Sequence, residues 1–321
     1  MAEFNGEYVA AVCRSAEKNL ISEERFDKLS SMTYADAVKV LKEYGYDADG
    51  TGTFESAILS GEKCLFDFIR RYSPSENVTA YEFCDNDYFN AETALREKML
   101  GLKSGVVYVT EGKYAVSEFS AYLDGEKCSL DERMKKTLDL GKKLFLSGKA
   151  TGVSVNVLFA RAKFSAKLAF AGKNQLLCDF VITEIDYANL TGALRSGDTD
   201  YVKNNYIDGG TVSLKQLISL CQSVDSGVSS LKSQKYGKIV AKAVADRKDG
   251  VAMVDFERFF NGYTLCELKK DRYTSQGVKA FLLYCEYKKN ELKNVRTLTV
   301  GLNGGLDKKE IKARMRENYA G

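Results

Sequence analysis

The sequence contains no histidine, no tryptophan and a single proline, Pro74. Without histidine there is no Ser–His–Asp triad, no His-ligated zinc and no imidazole general base, the commonest proton carrier in catalysis. No G-x-x-x-x-G-K-[ST] loop is present to cradle a nucleotide phosphate. The eight cysteines, at 13, 64, 84, 128, 178, 221, 266 and 285, are never closer than 19 residues, so no C-x-x-C pair exists. Most lie among apolar residues and are expected to be buried, inert thiols. The longest uncharged stretch, 150–160, falls far short of the roughly 20 residues a membrane span needs. The opening "MAEFNGEYVA" lacks the basic and apolar segments of a signal peptide. A cytoplasmic location follows as an expectation, compatible with attachment to a membrane complex. These absences predict a non-catalytic protein with no cofactor and no metal.

One motif imitates a metal loop. "DADGTGTFE" (47–55) places Asp47, Asp49, Thr51 and Gly52 at EF-hand positions 1, 3, 5 and 6, but position 12 is Ile58 rather than a bidentate glutamate. It reads better as a glycine-rich turn between helices.

The 321 residues give a length prior of about two domains. Nineteen tyrosines and 17 phenylalanines supply enough apolar surface to exclude a disordered chain. Net charge is only +3, too balanced to mark a nucleic-acid binder. It is unevenly spread: from Lys269 to Gly321 there are 13 basic and 6 acidic residues, a local +7 that leaves the rest at −4. That segment is the one strongly biased surface candidate. It is either a solvated helix face or a docking surface for an acidic partner, with Lys288, Lys289, Lys293, Arg296, Lys308, Lys309 and Lys312 as candidate contacts.

Apolar residues three and four apart predict a mostly helical chain. Val278, Cys285, Leu292 and Thr299, with Phe281, Val295 and Leu302 beside them, predict one long helix over roughly 277–302 with one buried stripe.

The chain also repeats itself. "DYFNAETALR" (87–96) and "DYANLTGALR" (186–195) share six of ten positions, 99 residues apart. "GKYAVSEF" (112–119) follows the first and "GTVSLKQL" (210–217) the second. The latter has the grammar of a helix start, with Ser213 as N-cap and Gln216 three later. "GGLDKKEI" (304–311) offers Asp307 and Glu310 in the same roles, and upstream of it Glu291 and Asn294 repeat the spacing of Asp87/Asn90 and Asp186/Asn189. A fourth junction, Ser22 before "EERF", lacks such a pair. Ser22, Ala115, Ser213 and Asp307 are 93, 98 and 94 residues apart. Three copies of a helical unit of about 95 residues are predicted, longer than a tetratricopeptide or HEAT repeat. The acid/Asn pairs are expected near helix starts, capping helices and joining bundles.

These residues resemble the C subunit of V/A-type ATPases, the counterpart of the d subunit of the eukaryotic vacuolar enzyme. "YVAAVCRSAEKNLIS" is similar to that family's opening helix, with Arg14 and Glu17 as its Arg-x-x-Glu. "IDGGTVSL" is similar to its glycine-pair turn. "GVKAFLLYCEYKKNELKNVRTLTVGLNGGLDKKEIKARM" resembles its C-terminal signature, with Gly277, Tyr284, Glu291, Asn294 and Arg296 at matching places. The resemblance runs along nearly the whole chain. It implies an all-α, pseudo-threefold funnel of three similar bundles, with lobes at 1–113, 114–211 and 212–321. It implies a central-stalk rotor component on the cytoplasmic face, which links the rotating shaft to the membrane rotor ring and carries torque without binding nucleotide. The alternative is a generic helical scaffold unrelated to ATPases.

Overall fold

Short polar side chains start most of the helices. Asn5, Ser22, Thr33, Asp131, Thr151, Asn174, Asp198, Ser213, Ser223 and Asp307 each sit in extended backbone and accept an N–H from the first turn that follows. At Thr151, Ser213 and Asp307 the third helical residue reciprocates in a capping box. The computed structural model describes residues 5–46, 54–102, 107–232, 235–250, 252–271 and 276–319. Among these the regular structure is entirely helical. The EF-hand-like residues Asp47, Asp49, Thr51 and Gly52 lie outside them.

The helices are α1 (Gly6–Glu17), α2 (Glu23–Leu29), α3 (Tyr34–Glu43), α4 (Phe54–Tyr72), α5 (Glu76–Leu100), α6 (Val116–Asp124), α7 (Glu132–Leu146) and α8 (Gly152–Ala171). They continue with α9 (Gln175–Ser196), α10 (Thr199–Asn205), α11 (Leu214–Gln222), α12 (Val224–Leu231), α13 (Gly237–Lys248), α14 (Val254–Lys269), α15 (Gly277–Asn303) and α16 (Lys308–Arg314). None of the described helices is long and apolar enough to cross a membrane.

The chain divides into two compact units, residues 1–79 with 261–321, and residues 80–260. In the first unit α15 is the central element, with α1, α3, α4 and α16 packed on it. Its bounds match the sequence expectation, but its burial does not follow one stripe. Sixteen of its 27 residues are buried, including the unbroken run from Ala280 to Cys285. A helix wrapped by four others keeps only a narrow solvent stripe, here Lys293, Arg296 and Val300, so the seven-residue spacing caught only part of the buried surface.

The second unit has two apolar clusters. One gathers Leu95, Phe119, Leu138 and Phe159 from α5 to α8. The other gathers Leu190, Leu217, Tyr236 and Phe260 from α9 to α14. Lys167 of α8 is 3 % exposed and donates to Asp85 at 2.8 Å and Glu184 at 2.7 Å. Burial alone would lower its pKa, but those two carboxylates hold it well above the usual lysine value.

The cysteines only partly follow expectation. Cys13, Cys84 and Cys285 are buried, whereas Cys64 and Cys266 are exposed. Burial, with Glu17 nearby, pushes the Cys13 thiol up to about 12. An apolar neighbour in sequence does not fix which side of a helix a thiol occupies, and this explains the two exposed ones.

Candidate functional site

The three acid/Asn pairs form the most distinctive polar feature of the molecule. Asp87, Asn90, Asp186, Asn189, Glu291 and Asn294 are all buried. Each pair is spaced three apart and so lies on one face of its helix. The pairs occupy the middles of α5, α9 and α15, not their starts. The expectation that they suit their own helix dipole is therefore corrected. They act on other segments, satisfying backbone groups of a loop that leads into another helix and, for Asn294, of the segment that follows α16.

In the first joint Asn90 clamps one loop residue in both directions. Its Oδ1 accepts the Val109 N–H at 2.9 Å and its Nδ2 donates to the Val109 carbonyl at 2.9 Å. Asp87 Oδ1 accepts the N–H groups of Lys113 at 2.8 Å and Tyr114 at 3.3 Å. The next residue, Ala115, is the N-cap of α6.

The second joint repeats this. Asn189 accepts the Ile207 N–H at 2.9 Å and donates to the Ile207 carbonyl at 2.8 Å. Asp186 accepts the Val212 N–H at 2.9 Å and the Thr211 hydroxyl at 2.6 Å. Ser213 follows as the N-cap of α11. Glycine stands three residues before the N-cap in both joints. A Cβ on Gly112 would come within 2.8 Å of Asp87 Oδ1, and one on Gly210 within 2.2 Å of Asp186 Oδ1. The carboxylate reaches the loop backbone only because no side chain stands in between.

The third joint is closed by the other end of the chain. Asn294 accepts the Arg316 N–H at 2.8 Å and donates to the Arg316 carbonyl at 2.9 Å. Glu291 accepts the N–H of Ile21 at 2.6 Å, 270 residues away, and the next residue, Ser22, is the N-cap of α2. The pair that this first junction lacks in local sequence is thus supplied by α15. The C-terminal tail seals the contact: Asn318 donates to the Ile21 carbonyl at 2.6 Å, and the Glu23 N–H to the Tyr319 carbonyl at 3.0 Å. Glu291 also accepts the Tyr46 hydroxyl at 2.6 Å and pairs with Lys288 at 2.5 Å.

Asp307 does not belong with Ser22, Ala115 and Ser213. It caps α16, which lies between Asn294 and its loop partner Arg316. Its counterpart is α10, capped by Asp198, which lies between Asn189 and Ile207. The near-equal spacing combined two different kinds of helix start.

The carboxylates of the first two joints differ in their surroundings. Burial raises Asp87 to about 7, against the lowering effect of the Tyr114 and Lys113 backbone hydrogen bonds. A small cavity lies beside it, lined in part by Tyr88, Asp131 and Arg133. In the second joint the Thr211 hydroxyl occupies the matching carboxylate oxygen.

The basic residues of the C-terminal segment are scattered. The Lys288 side chain, 14 % exposed, points at Glu291 and lies 4.9 Å from the Tyr46 ring centre. Lys289 pairs with Glu286 at 2.8 Å, and Arg296 with Glu55 at 2.5 Å. Lys293 and Lys309 are exposed. Lys308 holds Asp27 at 2.9 Å, and Lys312 pairs with the same carboxylate. Hydrogen bonds from Lys312 and Lys308 keep Asp27 below the usual aspartate range. Among the described residues no three Cys, Asp or Glu side chains converge to hold a metal ion.

Sequence reasoning missed Tyr46 and Lys288 as parts of the third joint, and no local signal marks them. It also passed over a readable one: residues 140–178 carry seven lysines and arginines and no acid.

Residues 152–314 match the model of the family described as ATP synthase (C/AC39) subunit. The chain is similar to the C subunit of the A-type ATP synthase of Haloferax volcanii, 25 % identical over 346 residues that cover 97 % of each protein. It is 23 % identical over 340 residues to the protein of the same name from Haloquadratum walsbyi, covering 96 % of this chain and 97 % of that one. The match to the A-type ATP synthase C subunit of Thermococcus kodakarensis is 24 % over 142 residues, 43 % of this chain and 38 % of that one.

Proposed function

Because the chain belongs to the ATP synthase (C/AC39) subunit family, we propose that it is a non-catalytic rotor subunit that joins a rotating shaft to a membrane rotor ring and carries torque between them. The observation that carries this reading is the collinear, nearly full-length similarity to the C subunits of A-type ATP synthases. The three repeated joints support it. Each ties the middle of a long helix to the start of another through buried hydrogen bonds, which resist sliding better than apolar packing because they are directional. Three copies of one joint suit three equivalent lobes around a socket, close to the lobes 1–113, 114–211 and 212–321, with the third closed by the N-terminal residues.

The polar grip on the neighbouring subunits falls to dispersed charges, since charge pairs fix register as well as attract. We assign it to the exposed basic residues Lys293, Arg296, Lys308, Lys309 and Lys312, facing an acidic shaft or ring surface on the cytoplasmic side. Lys288 and Lys289 are less exposed than these five and contribute less.

Reconstitution tests the reading. The chain should co-assemble with shaft and ring subunits, and its omission should abolish ATP-driven ion pumping. Lys308→Glu, Lys309→Glu and Lys312→Glu together should weaken assembly at low salt and less at high salt, where screening already suppresses the wild-type attraction. The purified chain alone should neither bind nor hydrolyse ATP. Saturable micromolar ATP binding abolished by one point mutation would overturn the adaptor reading.

A further inference from the structure

The acid-free stretch 140–178 contains Lys142, Lys143, Lys149, Arg161, Lys163, Lys167 and Lys173. The fold engages four of these cations. Lys142 donates to the Leu123 carbonyl, Arg161 to the carbonyls of Asn204 and Tyr206, and Lys163 and Lys167 pair with Asp85. Lys173 lies past the far end of α8. Lys143 and Lys149 remain, both exposed and without an acidic partner among the described residues.

These two lysines flank Leu146, the last residue of α7, which is 79 % exposed. Leu140, earlier on α7, is 43 % exposed, and Val153, at the start of α8, is 47 % exposed. The Arg96 guanidinium donates to the Gly152 carbonyl at 3.1 Å and so places the end of α5 beside this turn, where Leu100 is exposed as well. The nearest acid on α7 is Asp139, which accepts the Tyr122 hydroxyl at 2.9 Å. The tip of the α7–α8 hairpin is therefore apolar side chains set between unpaired ammonium groups.

We propose that this hairpin tip is a contact surface for anionic lipid headgroups. Lysines there meet phosphates while their methylene stems and the neighbouring leucines lie at the headgroup boundary, the pattern of segments that settle on membrane interfaces. Charge complementarity selects an anionic surface. The exposed leucines favour lipid, whose headgroup–acyl boundary offers an apolar layer directly beneath the phosphates. Lipid contact here does not depend on the rotor reading, because it involves residues of the other unit and a different partner.

Flotation of the purified full-length chain with vesicles tests it. At low salt the protein should bind vesicles of phosphatidylglycerol and phosphatidylcholine and not vesicles of phosphatidylcholine alone. Lys143→Glu with Lys149→Glu should cut partitioning by at least about 25-fold, roughly fivefold for each positive charge lost, and Leu146→Ser several-fold, with helicity unchanged by circular dichroism. If the charge reversal impairs folding, Lys143→Gln with Lys149→Gln and Leu146→Ser decide instead. Absence of binding, equal binding to neutral vesicles, or unchanged binding by the folded variants would overturn the proposal. Intact vesicle binding with lost capture of an acidic protein partner would also overturn it, assigning the tip to that protein.

Discussion

The second and third joints perform the same task with different reach. At the second, Asp186 meets a loop 26 residues downstream, with glycine at position 210. At the third, Glu291 meets Ile21 270 residues upstream, and Asn19 stands where the glycine stood. One added methylene accompanies one added side chain on the loop. The carboxylate-to-backbone bond is the invariant, and the sequence around it adjusts. A joint closed within a local loop also forms at small loop-closure cost, whereas one closed by the two chain ends waits for nearly the whole chain. The third joint should therefore be the last to form.

The comparison breaks most severely at Glu291. Glu291→Ala leaves the Lys288 ammonium, the Tyr46 hydroxyl and the Ile21 N–H without their buried acceptor. Denaturant unfolding should show a loss of about 3–5 kcal/mol, the usual penalty for orphaning one member of a buried pair. A loss under ~1 kcal/mol would mean that the third joint contributes little beyond the packing around it.

Glycine substitutions sharpen the contrast. Gly210→Ala should destabilise by about 1–3 kcal/mol through overpacking against Asp186, and Gly112→Ala by less, since its clash distance is longer, 2.8 Å against 2.2 Å. Asn19→Ala should be nearly silent. Equal melting temperatures for all three would remove the steric explanation for the glycines.

The first joint adds a pH dependence, modest over any single pH unit. Asp87 titrates near 7 in the folded protein and near 3.9 unfolded, so between these values the folded state binds the extra proton. Stability from this group therefore rises as pH falls from about 7 toward about 4, at most ~1.4 kcal/mol per pH unit, and is flat above 7. Asp87→Asn should abolish that slope and leave the Asn189 and Asn294 joints unaffected. An unchanged slope in Asp87→Asn would show that another group titrates.

Much of this was legible in the sequence. Ser22, Ser213 and Asp307 mark real helix starts because capping chemistry is local, and α15 was visible in its spacing. What stayed hidden is what local pattern does not encode. A three-residue spacing says that Asp87 and Asn90 share a face, not that they sit mid-helix. Ser22 finds its acid on α15, and no nearby residue announces it. Lys288 reads as a surface charge until the fold turns it toward Glu291. The sequence pattern of the α7–α8 tip, by contrast, was visible as an acid-free stretch.

The central claim is that Asn90, Asn189 and Asn294 hold three loop residues in one way. Amide hydrogen exchange at Val109, Ile207 and Arg316 tests it most directly, because all three lie outside helices and their protection depends on the clamp. Slow exchange is predicted at all three in the native protein. Asn189→Leu should release Ile207 alone and cost on the order of 2–5 kcal/mol, since two buried backbone groups lose their partner. Exchange of the three amides at open-loop rates in the native protein, or protection of Ile207 that survives Asn189→Leu, would contradict the account.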